Sequence, residues 1–136
     1  MDPVLQSFLA GFPILLLHLM VTMVMLTVGA ALYHLVTPYH ELDLIRGGNV
    51  AAAISFSAAL IGLAIPLAVC MARSVNVWDI LIWGCVTLAI QLFAYRISDV
   101  LLRDLPGRIQ SGEVSAASLV AGIKLSIAMI NAAAVG

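Results

Sequence analysis

Hydrophobic residues along this chain fall into four long runs. The runs cover about residues 12–35, 50–72, 77–95 and 114–134. Each is close to the ~20 residues that an α-helix needs to cross the hydrocarbon core of a bilayer at about 1.5 Å per residue. Most polar residues lie in the segments between the runs. The pattern predicts an all-α integral membrane protein with four transmembrane helices.

The composition indicates that the solvent of this protein is lipid. Of the 136 residues, 63% are hydrophobic and only 10% are charged, whereas about 25% of residues are charged in soluble domains. The net charge of −1 gives no indication of a nucleic-acid partner. The segment before the first run contains no Lys or Arg, which a cleaved signal peptide needs, so we expect the first run to be a retained span.

Two loops of similar sequence divide the chain into similar halves. The segments IRGGNVAAA (45–53) and IQSGEVSAA (109–117) agree at five of nine positions after a shift of 64 residues. A helix rich in small residues follows each loop. The pattern predicts two tandem helical hairpins, related by a pseudo-two-fold axis along the membrane normal. The two repeats would cover about residues 12–72 and 77–134.

The loop 37–49 predicts a short helix that lies along the membrane surface. Thr37 is expected to cap it, with Pro38 in its first turn, and Gly48 is expected to end it. Asn49 should then cap the second span. Gly112 is the glycine of the corresponding loop in the second half.

Small residues form stripes on the second and fourth spans. In the second span the stripe ends at Gly62, and Pro66 follows it one turn later. Because lipid gives no hydrophobic drive between helices, such stripes favour close backbone packing. We expect these two spans to face each other, and Pro66 to kink the second one.

Arginine residues are unevenly distributed between the two ends of the spans. Four of them lie in or beside the loops 37–49 and 96–113, namely Arg46, Arg96, Arg103 and Arg108. Arg73 lies at the opposite end. The positive-inside rule therefore predicts that both loops are cytoplasmic and that both termini are outside.

Lys124 is the most unusual residue, because it lies near the centre of the fourth span. It is about 15 Å from either end, where a charge costs about 2.5–3.5 kcal/mol on insertion scales. Its helix face is made of small residues and Asn131, so we expect Lys124 to point at protein. One alternative is functional: Lys124 binds an anion or a lipid headgroup, or acts as a gating charge. The other is structural: its amine donates hydrogen bonds to hydroxyls such as those of Thr22 or Ser57 and to carbonyls near Pro66.

The sequence places no Asp or Glu at the depth of Lys124, which argues against an ion-coupled transporter. In the loop 37–49, Glu41, Arg46 and Asn49 either form ordinary caps and surface pairs or present a docking surface. No nucleophile–base arrangement, phosphate-binding loop or metal-ligand set is recognisable. The sequence therefore predicts a non-enzymatic protein without a cofactor or a metal.

The segment TPYHELDLIRGGNVAAAISFSAALIGLAIPLA, with the later INAAA, resembles the YjfL-like family of bacterial inner-membrane proteins over about residues 37–134. The matching positions are Thr37, Pro38, Tyr39, Glu41, Arg46, Gly48, Asn49, Pro66 and Asn131. The resemblance implies a four-span protein of the inner (plasma) membrane with no established activity. Genes of this family often lie near phage-shock-type membrane proteins and ATP-grasp ligases, which implies a role in envelope stress or membrane maintenance.

Two functional hypotheses follow. The first is a scaffold or partner module that sits in the lipid bilayer and binds a cytoplasmic or membrane protein through the loop 37–49. The alternative is a small channel or carrier for an anionic solute, with Lys124 and Asn131 along its path. Four spans are few for a pore, so this alternative requires a homo-oligomer.

Overall fold

The computed structural model describes residues 2–136, which form six α-helices and no strand. The helices are α1 (Pro3–Val36), α2 (Glu41–Arg46), α3 (Val50–Arg73), α4 (Val77–Leu101), α5 (Asp104–Gln110) and α6 (Val114–Val135). Four of them, α1, α3, α4 and α6, are long and apolar enough to cross a membrane. The prediction of an all-α membrane protein with four spans is confirmed.

Two of the helices extend beyond the predicted spans. The first helix begins at Pro3, well before residue 12, because the Asp2 side chain caps it by accepting a hydrogen bond from the Val4 N–H at 2.9 Å. Hydropathy marks only the lipid-embedded part of a helix. The third helix continues to Leu101, six residues beyond the predicted run 77–95, and stops before Pro106. Pro106 instead lies in the first turn of α5, where its missing N–H is tolerated.

Helix α3 is at the centre of the bundle. Its most extensive contact is with α6, and it also packs against α1 and α4. The expected packing of the second span on the fourth is therefore confirmed. Small side chains make this close approach possible, because in lipid the attraction between helices depends on packing. The fully buried alanines are Ala51, Ala52 and Ala59 of α3 and Ala117 and Ala128 of α6.

Gly62 contacts α4, which corrects its expected place in the interface with the fourth span. A Cβ atom at this position would overlap the hydroxyl of Tyr95, and it would come within 3.4 Å of Gln91 Nε2. The Tyr95 hydroxyl donates to the Ala59 carbonyl at 3.1 Å. The small residue at position 62 therefore leaves room for a tyrosine that ties α4 to α3.

The two similar loops have the same backbone hydrogen bonds. The N–H of Gly48 donates to Ile45 O and that of Gly112 to Ile109 O, each at 2.9 Å. Both glycines have φ of 90°, the left-handed conformation that favours glycine at a helix end. Beyond the loops the halves differ, because α4 packs on both α3 and α6 while α1 packs mainly on α3 and α4. The tandem duplication stays a prediction.

Asn49 caps α3 as predicted, and it also joins the two loops. Its Oδ1 accepts from the Ala52 N–H at 3.0 Å. Its Nδ2 donates to the carbonyls of Ile109 and Gln110, each at 3.1 Å. Thr37, in contrast, does not cap α2. It ends α1, where its hydroxyl donates to the Tyr33 carbonyl at 2.6 Å.

Candidate functional site

A group of polar side chains is buried inside the apolar bundle and is called here the buried polar cluster. Its members are Tyr33, Glu41, Ser55, Gln91, Tyr95, Lys124 and Asn131. They come from five of the six helices. Since the bilayer core offers no water, each polar atom here must find its partner within the protein. Intramembrane ionisable residues are functional-site candidates for that reason.

Lys124 lies at the centre of this cluster and is only 3% exposed. Its ammonium donates to the Tyr33 hydroxyl at 2.6 Å, to Ser55 Oγ at 2.9 Å and to the Ser55 carbonyl at 3.3 Å. An ammonium has three N–H donors, so this arrangement uses all of them. The nitrogen also lies 4.8 Å from the centre of the Tyr33 ring and 5.5 Å from that of Tyr95, within cation–π range.

The expectation that Lys124 points at protein is confirmed, but its expected acceptors are wrong. Ser57 is exposed in the groove that Ala121 and Leu125 of α6 also line, and it makes no hydrogen bond to Lys124. The Thr22 hydroxyl donates to the His18 carbonyl of its own helix at 2.7 Å. The acceptors are instead Ser55 and the tyrosine near the end of α1.

Glu41 is a buried residue, and its expected position on a docking surface is wrong. Only 1% of it is exposed, and its Oε1 accepts a hydrogen bond from the Tyr33 hydroxyl at 2.5 Å. The short helix α2 turns this side chain toward the bundle, where the long Tyr33 side chain bridges it to Lys124. A carboxylate therefore does approach the intramembrane lysine, which overturns the argument that none was available.

Burial dominates the electrostatics of Glu41. Removal from water raises the pKa of this carboxyl, and the charge of Asp99 raises it further. The charge of Lys124 and the hydrogen bond from Tyr33 act in the opposite direction, and so does the nearby Tyr39 hydroxyl. The net result is a carboxyl that holds a proton more tightly than an exposed glutamate. The second oxygen, Oε2, is buried without a hydrogen-bond partner.

Asn131 belongs to a separate part of the cluster. Its Nδ2 donates to Gln91 Oε1 at 3.1 Å and to the Thr87 carbonyl at 3.2 Å. Gln91 in turn donates to the backbone carbonyl of Lys124 at 3.3 Å. These amide contacts tie α6 to α4. Asn131 lies seven residues from Lys124, about 10 Å along the helix, and the structure does not bring the two side chains together.

The other predicted site residues are on or near the loops. Arg46 pairs with Asp43 at 4.0 Å, as its spacing suggested, and the two side chains are 80% and 73% exposed. Pro66 is buried inside α3. In the second loop, Arg108 Nε donates to Glu113 Oε2 at 2.8 Å, which lowers the pKa of that carboxyl. Among residues 2–136 no group of three or more metal-binding side chains is present.

Five residues escaped the sequence analysis: Tyr33, Ser55, Gln91 and Tyr95 of the buried polar cluster, and Asp99 beside it. A signal for Tyr33 existed, because Met25, Gly29 and Tyr33 recur at four-residue spacing and all three are buried. Asp99 lines, together with Lys124, a small cavity of about 10 Å³ between α4, α5 and α6. Its position near the end of a span gave no indication that it lies beside Lys124.

Comparison with known proteins gives a consistent result. The family model described as "Domain of Unknown Function (DUF350)" matches residues 7–135. The chain is 30% identical over 102 residues to the UPF0719 inner membrane protein YjfL of Escherichia coli strain K12, which covers 75% of this chain and 77% of the relative. The YjfL protein of strain O157:H7 matches to the same extent. No solved structure matches the chain significantly.

Proposed function

The chain belongs to the DUF350 family, and on that premise we propose that this integral inner-membrane protein is a non-enzymatic scaffold. It would bind a cytoplasmic protein that acts in envelope maintenance or in the response to membrane stress. The observation that carries the proposal is the arrangement around Lys124, whose three donors are all used by acceptors of its own chain. Such an interior holds helices together, and the exposed charges of the loops are then the groups that can meet a partner.

The candidate docking surface, called here the loop surface, is the exposed face of α2 and α5. It consists of Asp43, Arg46, Asp104 and Arg108. Asn49 holds the end of α2 beside the end of α5, so the two helices form one surface. The pair between Asp43 and Arg46 is long and exposed, and pairs of this kind contribute only about 0–1 kcal/mol. It can therefore exchange for a charged partner at little cost.

The partner that suits this surface is a protein segment with charges of both signs, because the loop surface itself alternates acidic and basic groups. Electrostatic complementarity of this type sets specificity and association rate more than affinity. The interaction should weaken as salt is added, since exposed charges are screened over about 8–10 Å at physiological ionic strength.

The test uses site-specific photo-crosslinking from position 46 in bacterial membranes, with Met129, which is 64% exposed on α6, as the control position. The proposal requires one defined protein to crosslink at position 46 and not at 129. That protein, purified, should bind the wild type at least about tenfold more tightly than Arg46→Glu, a difference of about 1.4 kcal/mol. Equal affinity for wild type and variant, or capture from both positions, would overturn the loop surface.

The proposal also requires the loops 37–49 and 96–113 to be cytoplasmic. Ser111→Cys and Ser7→Cys, each made after Cys70 and Cys85 are replaced by serine, test this with a membrane-impermeant thiol reagent on intact cells. We expect labelling at position 7 and protection at position 111. Labelling of position 111 from outside would reverse the orientation and remove the loop surface from the cytoplasm.

The alternative of a path for an anionic solute has less support. Lys124 would have to give up hydrogen bonds to Tyr33 and Ser55 in order to bind an anion. Asn131 likewise donates to acceptors of α4. Removing a partner from a buried polar pair costs several kcal/mol, which an entering anion would have to replace.

A further inference from the structure

Three side chains form one continuous line of hydrogen bonds from the loop helix α2 to the middle of α6. Lys124 Nζ donates to the Tyr33 hydroxyl at 2.6 Å, and that hydroxyl donates to Glu41 Oε1 at 2.5 Å. All three residues are at most 3% exposed. Charge-assisted hydrogen bonds between O–H and carboxylate have lengths of this order. Tyr33 therefore has the property that proton transfer needs: its hydroxyl accepts on one side and donates on the other.

We propose that Glu41, Tyr33 and Lys124 form a proton-binding relay, in which Glu41 takes up a proton from the loop side and Tyr33 passes protons between Glu41 and Lys124. This activity goes beyond the scaffold and does not depend on a docked partner. The ligand of the site is the proton itself.

The internal step is balanced within the three residues. One N–H bond of the Lys124 ammonium breaks as an O–H bond to the Tyr33 oxygen forms. In the same step the original Tyr33 proton moves to Glu41 Oε1. An ammonium and a carboxylate thus become an amine and a carboxylic acid, and Tyr33 remains a neutral phenol. Uptake of an aqueous proton by Glu41 is a separate step, which leaves the Lys124 ammonium in place.

An unpartnered oxygen favours proton binding at Glu41. Its Oε2 is buried without a hydrogen-bond donor, so an ionised carboxylate in that position leaves one charged oxygen without a hydrogen bond. Burying such a group costs free energy unless it is paired or neutralised. Protonation removes the charge while the contact between Oε1 and Tyr33 can persist.

The groups that face Glu41 come from every element around it. They are Tyr33 of α1, Tyr39 before α2, Ser55 of α3, Asp99 of α4 and Lys124 of α6. Asp99, which has Arg96 near it, adds a second carboxyl to the same group. Asp99 and Lys124 line a cavity of about 10 Å³, near the lower limit for one water molecule, on the Lys124 side of the relay.

The sequence allows this relay to be observed without any substitution. Lys124 is the only lysine in the chain, and Glu41 and Glu113 are the only glutamates. Protein labelled with ¹⁵Nζ-lysine and ¹³Cδ-glutamate, reconstituted in lipid, should therefore give one lysine and two glutamate side-chain resonances by nuclear magnetic resonance. Glu113, which is exposed and paired with Arg108, is an internal control for an ordinary or lowered titration.

We expect the Glu41 resonance to titrate at a higher pH than that of Glu113, because burial raises the pKa of the Glu41 carboxyl and Arg108 lowers that of Glu113. In the wild type the Lys124 resonance should shift over the same pH range as Glu41. Tyr33→Phe keeps the aromatic ring but removes the hydroxyl, so the Lys124 shift over that range should disappear.

Two outcomes would overturn the proposal. One is a Glu41 resonance that titrates at or below the Glu113 midpoint. The other is a Lys124 resonance that stays constant while Glu41 titrates in the wild type, or that follows Glu41 equally well in Tyr33→Phe. Either result would mean that the three residues only tie the helices together. The loop-surface experiment gives its own answer in both cases, since Arg46 contacts none of the three.

Discussion

At the residue scale, Lys124 shows how an ammonium is accommodated about 15 Å inside a membrane protein. Two hydroxyls and a carbonyl receive its protons, and two tyrosine rings lie against it. The Glu41 carboxyl is connected to Lys124 through the Tyr33 hydroxyl. The cost of placing a charge at this depth is thus offset by contacts from α1, α3 and α4 rather than by lipid headgroups.

Removing Lys124 should destabilise the protein in a way that depends on Glu41. We expect Lys124→Met to lower the free energy of unfolding by about 3 kcal/mol or more, because breaking a buried pair leaves the other partner unsatisfied. In the double variant Lys124→Met, Glu41→Gln the loss should be smaller than the sum of the single losses. Unfolding of the four proteins in mixed micelles measures this cycle. Additive losses would show that Glu41 and Lys124 do not interact.

Glu41 should also make stability depend on pH. Burial raises its pKa in the folded protein, so the folded state binds this proton more tightly than the unfolded state. The stabilisation from Glu41 is therefore complete below the ordinary glutamate pKa and is lost as pH rises through the raised pKa. We expect the wild type to lose stability over that range relative to Glu41→Gln. Asp43→Asn, an exposed carboxyl on the same helix, should retain the wild-type profile.

The depth and facing of Lys124 could be predicted from the sequence, whereas its partners could not. A period of 3.6 residues places Ala117, Ala121 and Ala128 on the same face as Lys124, and that face packs on α3. Tyr33 is 91 residues away in the chain, and its contact depends on how α1 sits beside the other helices. Glu41 was assigned to the surface because charged residues in loops are usually exposed. In the structure, α2 turns its side chain toward the bundle.

At the element scale, Asn49 connects two loops that are 60 residues apart. We expect Asn49→Ala to lower the free energy of unfolding by about 2–3 kcal/mol, since it removes one helix cap and two bonds to carbonyls of α5. Asn76 is a matched control, because it caps α4 through the Asp79 N–H at 3.1 Å. Asn76→Ala should cost only about 1 kcal/mol. Equal losses would show that the bonds between the loops contribute little.

Gly62 provides a second test of how elements pack. Gly62→Ala should destabilise the bundle by about 1–3 kcal/mol, because the added methyl group overlaps the Tyr95 hydroxyl. Tyr95→Phe should restore most of that loss by removing the hydroxyl. Gly122→Ala on α6 meets no atom within 4 Å and should be nearly neutral. If Tyr95→Phe gives no rescue, α4 does not approach α3 as described.

Helix caps were predictable where one side chain decides the conformation, and unpredictable where packing decides it. Asn49 and the two loop glycines, Gly48 and Gly112, were identified because a side-chain cap and a glycine in the left-handed conformation each have a recognisable local sequence pattern. The end of α4 at Leu101 has no such pattern, since the helical spacing of Arg96, Asp99 and Arg103 continues past it. The separate helix α5 is buried through Leu105 and Ile109, which is a tertiary effect.

At the scale of the whole molecule, three helices surround α3, and the buried polar cluster lies among them. The first buried residue of α1 is Thr22. The turns of α1 that precede Thr22 therefore expose their mostly apolar side chains. With a length of about 50 Å, α1 is longer than the ~30 Å hydrocarbon core of a bilayer. The sequence predicted the number of spans and the contact of the second with the fourth. It did not predict where α4 packs. This span has too few polar residues to distinguish its protein-facing side from its lipid-facing side.

Chemical modification of Lys124 tests most directly whether four spans close around this residue. An amine reagent applied to the folded protein in lipid, followed by mass spectrometry of the peptide that contains Lys124, reports on one side chain because the chain has no other lysine. The structure predicts that Lys124, only 3% exposed, stays unmodified until the protein is unfolded. Equal modification of folded and unfolded protein would contradict the burial of Lys124, and with it both the bundle and the relay.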